Sequence, residues 1–320
     1  MNRRGFLQAG IAGIGAAHLG CSQQPEPASA GPSGNSAVAI LKASSYSADL
    51  AGLLRRGAQL CGLDVRGKRV LLKPNLVEFA STTAINTHVA VIAAAVELFR
   101  SLGAAEVLIG EGPGHRRDTM ELAEEAEYRR GIEKFEALFV DLNRDDVSGL
   151  RGFGDLPEIF LPNTARRADL IVSLAKMKTH HWAGATLSMK NFFGLVPGSV
   201  YGWPKNQLHQ IGIDRSIAEL HRVFPQSFAI VDGIVGMEGN GPIQGVPKSA
   251  GVIAMGHDLV AVDSTCCRIM GIDPAMLEYL RLTAERGHVG ANRIEQRGES
   301  IASVRTDFVL PANFRHCRLA

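Results

Sequence analysis

The feature that most constrains this chain is a repeated alternation of short Val/Leu/Ile runs with amphipathic segments. Apolar runs at 38–43, 69–73, 106–110, 137–142, 169–174, 227–232 and 252–255 read as strands. Between them lie helical patterns at 49–61, 87–102, 118–135, 216–223, 259–270 and 274–286. Leu50, Leu53, Leu54, Ala58 and Cys61 make one apolar stripe, and Val91, Ala94, Ala95 and Leu98 another, the second capped by Thr87 and stopped by Gly103. Strands alternating with helices predict an α/β fold, a mostly parallel sheet with helices on both faces. The segment 145–162 is expected as a glycine-bearing hairpin, and 301–310 as an edge strand. The 320 residues are enough for one large domain or two lobes, which places the α/β domain at 37–320.

In open sheets of this kind ligands bind in a cleft beyond the carboxyl ends of the strands. The strand-end segments here are polar. Lys73-Pro74-Asn75 closes the second run, where Asn75 either bonds the turn locally or, with Lys73, serves a ligand. Glu111-Gly112-Pro113-Gly114-His115 follows the third; it is not G-x-G-x-x-G, so a dinucleotide fingerprint fails, while anion binding through its backbone amides stays open. The segment 176–198 carries Lys176, Lys178, His180, His181, Lys190 and Asn191, and no Asp or Glu occurs between 170 and 213, where Lys205 also falls.

Lys176 and Lys178 alternate and are expected to point to one side, whereas His180 and His181 cannot both do so in an extended segment. One histidine is expected as a proton carrier or metal ligand, unless both simply bond locally around Trp182. A metal site from His180 and His181 needs a further ligand such as Asp232 or His209. Lys190 stands between apolar residues ahead of Phe192-Phe193-Gly194; a buried lysine must be paired, lowered in pKa or covalently occupied, which makes it the leading catalytic candidate. The glycine-rich segment 233–242 is read as a loop bringing Glu238 and Asn240 opposite the lysines, with Asp232 beside them, so that the second wall of the cleft is acidic. Asp258 reads as an N-cap, and Asp263, within an apolar stripe, as a structural contact or a catalytic group.

The first 21 residues carry Arg3-Arg4, then Phe6-Leu7 and a short Gly/Ala-rich run, the pattern of a twin-arginine export signal. The run is too short to span a bilayer. Leu19-Gly20-Cys21 resembles a lipoprotein cleavage box, leaving open lipidation of Cys21 or simple cleavage; 22–36 reads as a flexible tether. Export through that machinery, to the periplasm or the outer face of the cytoplasmic membrane, is the expectation, with membrane contact only through Cys21. Without Arg3 and Arg4 the chain has 32 basic and 32 acidic side chains, a balance that argues against nucleic-acid binding. The five cysteines show no C-x-x-C, hence no iron–sulfur or zinc-knuckle motif; a divalent metal held by other ligands stays open.

The segments L-L-K-P-N at 71–75, K-M-K-T-H at 176–180, T-L-S-M-K-N-F-F-G at 186–194, V-D-G-I-V-G-M-E-G-N-G-P at 231–242 and D-L-V-A-V-D at 258–263 resemble the prokaryotic family called domain of unknown function 362. The likeness covers most of 38–290. Many relatives add a ferredoxin-like module with cysteine clusters, which this chain lacks. In layout, His181-x-x-Gly184 followed by Lys190 and Pro197-Gly198 is similar to the cofactor-holding loop of nickel-pincer lactate racemase. That similarity implies Lys190 as an attachment site and a histidine as metal ligand. These readings converge on an exported enzyme of isomerase or redox type for a small anionic substrate, or with an anionic or metal cofactor. The alternative is a membrane-tethered, non-catalytic carrier of an anionic ligand.

Overall fold

The computed structural model of the protein describes residues 34–114 and 118–320. The segment expected to be an export signal, Cys21 and His115 lie outside them. The described residues form eleven strands: β1 Ser36–Lys42, β2 Arg69–Pro74, β3 Glu106–Glu111, β4 Phe139–Asp141, β5 Val147–Phe153, β6 Leu156–Pro162, β7 Leu170–His180, β8 Gly184–Thr186, β9 Ser227–Asn240, β10 Gln244–Gly256 and β11 Ile294–Gly298. The main sheet runs β11-β1-β10-β9-β7-β2-β3-β4, with β8 paired to β7, and β5-β6 form a separate hairpin. From β9 to β4 every neighbour is parallel, while β10 runs antiparallel between β9 and β1. The α/β class and the largely parallel core thus follow the expectation, with β10 and the short β8 as antiparallel interruptions.

Strand alternation sorts the core into two layers. Leu71, Ile171, Ala229, Val231 and Ala254 pack on one face with the helix Leu259–Ile269 and with Ile217 and Leu220 of the helix Ile213–Val223. Val70, Leu72, Val172, Ile230 and Ile253 pack with the helices Leu50–Cys61 and Val89–Ser101 on the other. Successive side chains of a strand point to opposite faces, so each strand feeds both layers.

Three departures from the sequence reading matter for the site. β7 does not stop at Leu174 but runs to His180, so Lys176, Lys178 and His180 are strand residues. β9 likewise runs through the glycines to Asn240 and forms a long hairpin with β10, so Glu238 belongs to a strand. The glycines serve close packing: a Cβ on Gly233 would press on Met177, and one on Gly236 on the Met177 carbonyl. The helix Val89–Ser101 is capped by His88, whose Nδ1 accepts from the Ala90 amide at 3.2 Å; Thr87 instead donates to the Leu174 carbonyl at 2.6 Å. Elsewhere 118–135 breaks into short helices at Glu127 and Lys134, both in the left-handed region, and 274–286 holds only two short turns. The edge strand is β11, while Ile301–Val304 is helical.

Candidate active site

A cavity of about 510 Å³ opens over the carboxyl ends of β2, β3, β7 and β9, where a parallel sheet places its ligands. Its lining includes Lys73, Asn75, Glu111, Gly112, Gly114, Lys178, His180, His181, Lys190, Asn191 and Asn240. Eleven of the sequence candidates therefore share one chamber. Lys205, His209, Thr186, Trp182 and Phe193 line it as well.

Its floor is a saturated network. Lys73 Nζ donates to Glu111 Oε2 at 2.5 Å, to the Pro74 carbonyl at 2.8 Å and to Asn191 Oδ1 at 3.0 Å. Glu111 also accepts from the Leu76 and Gly112 amides at 3.1 and 2.9 Å. An ammonium has three donors, so Lys73 has none left for a ligand. Gly194 lies against this pair so closely that a Cβ there would collide with Glu111 Oε1 and Lys73 Nζ. Burial pulls the Lys73 ammonium below its ordinary value, and Glu111 opposes that pull. Lys73, Glu111 and Asn191 thus build the floor of the cavity.

The remaining lysines differ in what they have left. Lys178 Nζ donates to the Ile85 carbonyl at 2.8 Å and the Pro242 carbonyl at 3.3 Å and keeps one N–H. Lys205 Nζ donates to the Gly112 and Phe193 carbonyls at 2.6 and 2.8 Å and also keeps one. Lys190 has neither hydrogen bond nor ion pair among the described residues; its Nζ sits 3.5 Å from the centre of the Phe193 ring. Burial, reinforced by Lys73 and partly opposed by Asp214, brings Lys190 down to about 7. Burial, partly opposed by Glu111, brings Lys205 down to about 7. Burial and then Lys176, Lys190 and Lys73 hold Lys178 well below its usual range.

Lys190 is held by the short helix Ser188–Asn191, whose start is fixed by Asp263. Asp263 Oδ1 accepts from the Ser188 amide at 2.8 Å and its hydroxyl at 2.5 Å, while Oδ2 accepts from the Met189 amide at 3.2 Å. Asp263 takes the first of its two expected roles, a structural contact, and burial raises its carboxyl to about 7. Asp258 caps Leu259–Ile269 through the Ala261 amide at 3.0 Å, also as expected.

The histidines have distinct tautomers by their partners. His180 Nδ1 accepts the Trp182 and Ala183 amides at 3.0 and 3.2 Å, which puts its proton on Nε2 as a donor. Burial first, and Lys190 next, keep it neutral by pulling its pKa well down. His181 Nδ1 lies 2.7 Å from the Gly241 carbonyl and His209 Nδ1 3.2 Å from the Lys205 carbonyl, so both donate there and leave Nε2 with a free lone pair. The adjacent rings of His180 and His181 stack at 5.1 Å. Both line the cavity because β7 ends at His180 and the chain turns.

Three candidates are elsewhere. Lys176 pairs with Asp232 at 2.8 Å and with the Tyr46 hydroxyl at 2.8 Å, facing a separate cavity of about 670 Å³. Asp232 is further occupied by the His88 and Ile234 amides at 3.1 and 3.2 Å, so it cannot join His180 and His181 around a metal. Glu238 accepts the Val309 amide at 2.8 Å and pairs with Lys248 at 3.6 Å, and the long strand carries it away from the lysines of the cavity. The acidic opposite wall is therefore not formed. No cluster of three His, Cys, Asp or Glu side chains suited to a metal exists among the described residues, and with Nε2 protonated His180 offers a metal no lone pair. The described residues do not fit a resident metal centre built from His180, His181 and Asp232.

A family model described as Domain of unknown function (DUF362) matches residues 70–268, more than half of the chain. The chain belongs to the DUF362 family. A thylakoid-associated protein of Synechocystis is 29% identical to it over 259 residues, covering 75% of this chain and 76% of that one. Solved structures similar to this DUF362 protein include a Thermotoga maritima protein, at 17% identity and TM-score 0.38 over 68% of the chain. Another is the lactate racemase apoprotein of Thermoanaerobacterium thermosaccharolyticum, at 12% identity and TM-score 0.42 over 74% of the chain. The chain spans 57% of the length of each of these two.

Within the DUF362 cavity, sequence reasoning passed over Lys205 and gave His209 only a supporting role. Lys205 lies inside the acid-free stretch, which was the one available signal. Nothing local shows that its Nζ reaches back to the Gly112 and Phe193 carbonyls and ties two walls together.

Proposed function

We propose that this DUF362 protein is an exported enzyme that binds a small anionic substrate in the 510 Å³ cavity and moves a proton through Lys190. The observation that supports it most is the state of Lys190: a cavity-facing amine with no hydrogen-bonding partner among the described residues, stripped of water on one side by Phe193 and surrounded by other cations. Such an amine is half neutral near neutral pH and serves as base before the anion is bound, and as acid after. An anion in the chamber meets one N–H from Lys178, one from Lys205, the His180 Nε2–H and Lys190 itself. Export is proposed from Arg3-Arg4 and the short apolar run that follows.

Calorimetric titration with oxalate and pyruvate in buffers of different ionisation heat tests the site. An arriving anion favours the charged forms of Lys190 and Lys205, so binding at pH ~8 takes up protons, and Lys190→Met lowers the uptake by close to one. Deuterium exchange at carbon, followed by NMR on pyruvate and lactate, tests catalysis. Binding with no exchange on any substrate makes the protein a carrier; no binding at all removes the proposal.

A further inference from the structure

We infer that Lys190 forms a covalent imine with small 2-oxo carboxylates, so that the cavity handles an acid carrying a ketone or aldehyde carbon beside its carboxylate. This rests on the reading of the cavity as a site for a small anionic substrate and names the substrate class. The geometry divides the chamber's groups into two tasks. Lys178, Lys205 and His180 are fixed by backbone partners and each offers a single remaining donor, which suits a carboxylate held in place. Lys190 is fixed by none among the described residues, which leaves its amine available to make a bond.

Two further atoms have polar capacity to spare, and one of them, an acceptor only, points beyond a plain anion. Asn75 Oδ1 and Thr186 Oγ1 are buried without a hydrogen-bond partner, and both residues line this cavity. A buried polar atom without a partner costs on the order of 1–3 kcal/mol, so native structures leave few of them. The Asn75 oxygen accepts only, because its amide nitrogen already reaches Asn191 Oδ1 at 3.3 Å. A ligand that satisfies it must bring a hydroxyl or an N–H. Oxalate and fully ionised sulfate bring neither. The carbinolamine that precedes an imine brings both.

The chemistry balances within the chamber. The neutral Lys190 amine adds to the carbonyl carbon, and the carbonyl electron pair moves to its oxygen as the C–N bond forms. The proton leaving nitrogen passes to that oxygen, giving the carbinolamine. His209, edge-on to the same Phe193 ring at 6.0 Å and with its Nε2 lone pair free, is the group that relays it. Loss of the hydroxyl as water then leaves the protonated imine. The net reaction joins amine, carbonyl compound and one solvent proton, and releases one water. Nothing is oxidised or reduced. The positive nitrogen draws electrons from the neighbouring carbon, the step needed to exchange a hydrogen there or to break a carbon–carbon bond.

The test is reductive trapping. The isolated protein is incubated with pyruvate near pH 7, treated with borohydride, and read by intact mass and peptide mapping. One increment equal to pyruvic acid less one oxygen is expected, located on Lys190. At this pH an amine at about 7 has roughly a thousandfold more free base than an ordinary surface lysine, so labelling of surface lysines should be negligible by comparison, and the peptide map separates Lys190 from Lys205, whose amine also lies at about 7. Lys190→Met and Lys190→Arg should take no increment; if either fails to fold, the peptide map of the native chain decides alone. Oxalate, which lacks a ketone carbon, is titrated in parallel. Oxalate and pyruvate binding without an adduct overturns the imine and leaves the anion site standing. Absence of binding overturns both. Adducts spread evenly over surface lysines, unchanged in Lys190→Met, also overturn the imine.

Discussion

Replacing Lys190 with methionine should make the protein more stable, and by an amount that depends on pH in a defined way. The ammonium falls from its ordinary 10.5 to about 7 in the folded chain. A full drop of that size corresponds to roughly 5 kcal/mol of preference for the neutral form. Lys190 keeps part of its surface on the cavity, where water screens the charge, so about 2–4 kcal/mol is the realistic expectation. The sign follows from proton binding. Between about 7 and 10.5 the unfolded chain binds the proton and the folded chain releases it, so native stability rises with pH across that window and is flat below it. Lys190→Met lacks this slope. Urea unfolding at pH ~6, ~7, ~8 and ~9 should therefore show the variant ahead of the native chain by the full margin at the two lower values. The margin should narrow by up to about 1.4 kcal/mol per pH unit above them. Parallel stability curves for the two proteins across pH ~7 to ~9 would refute the argument that an uncompensated cation is buried there.

Lys205→Met gives the opposite sign despite a similar pKa near 7, because it strands the Gly112 and Phe193 carbonyls; a loss of about 2–4 kcal/mol in the same unfolding assay is expected, and a gain would contradict it. Glu111→Gln leaves the fully buried Lys73 without its carboxylate and should cost about 3–5 kcal/mol by denaturant titration. Gly194→Ala drives a methyl into the Lys73–Glu111 pair and should lower the melting temperature by several degrees, roughly 1–3 kcal/mol of overpacking. Tyr46→Phe removes the hydroxyl bridging Lys176 and Asp232 and should lower stability by about 1 kcal/mol, yet leave pyruvate trapping at Lys190 intact, since it belongs to the other cavity.

Strand-end reasoning located the cavity because parallel topology forces loop residues of successive strands together, whatever their identity. Lys73, Glu111, His180 and Lys190 met in one chamber for that reason. The errors came from glycine and from polar residues in extended chain. Gly233, Gly236 and Gly239 look like a loop, yet the first two admit Met177 against the backbone of a continuous strand. That continuity is what carries Glu238 to the Val309 amide. Lys176 and Lys178 look like loop residues because a buried strand rarely bears charge, but each has partners supplied from distant sequence: Asp232 and Tyr46 for one, Ile85 and Pro242 for the other. Such partners are invisible in local pattern. The acid-free stretch was informative for the same reason: cations with no neighbouring acids must answer to something else, and only three-dimensional placement showed which of them had been answered.

The segment between Leu76 and Val89 separates the two cavities, giving Val77 and Glu78 to one and Phe79 through Val89 to the other, while its Ile85 carbonyl grips Lys178. For protein engineering this makes it a party wall. A tag or insertion spliced there to alter one room would shift the anchor of a lysine in the next, so the two chambers can be remodelled only as a pair.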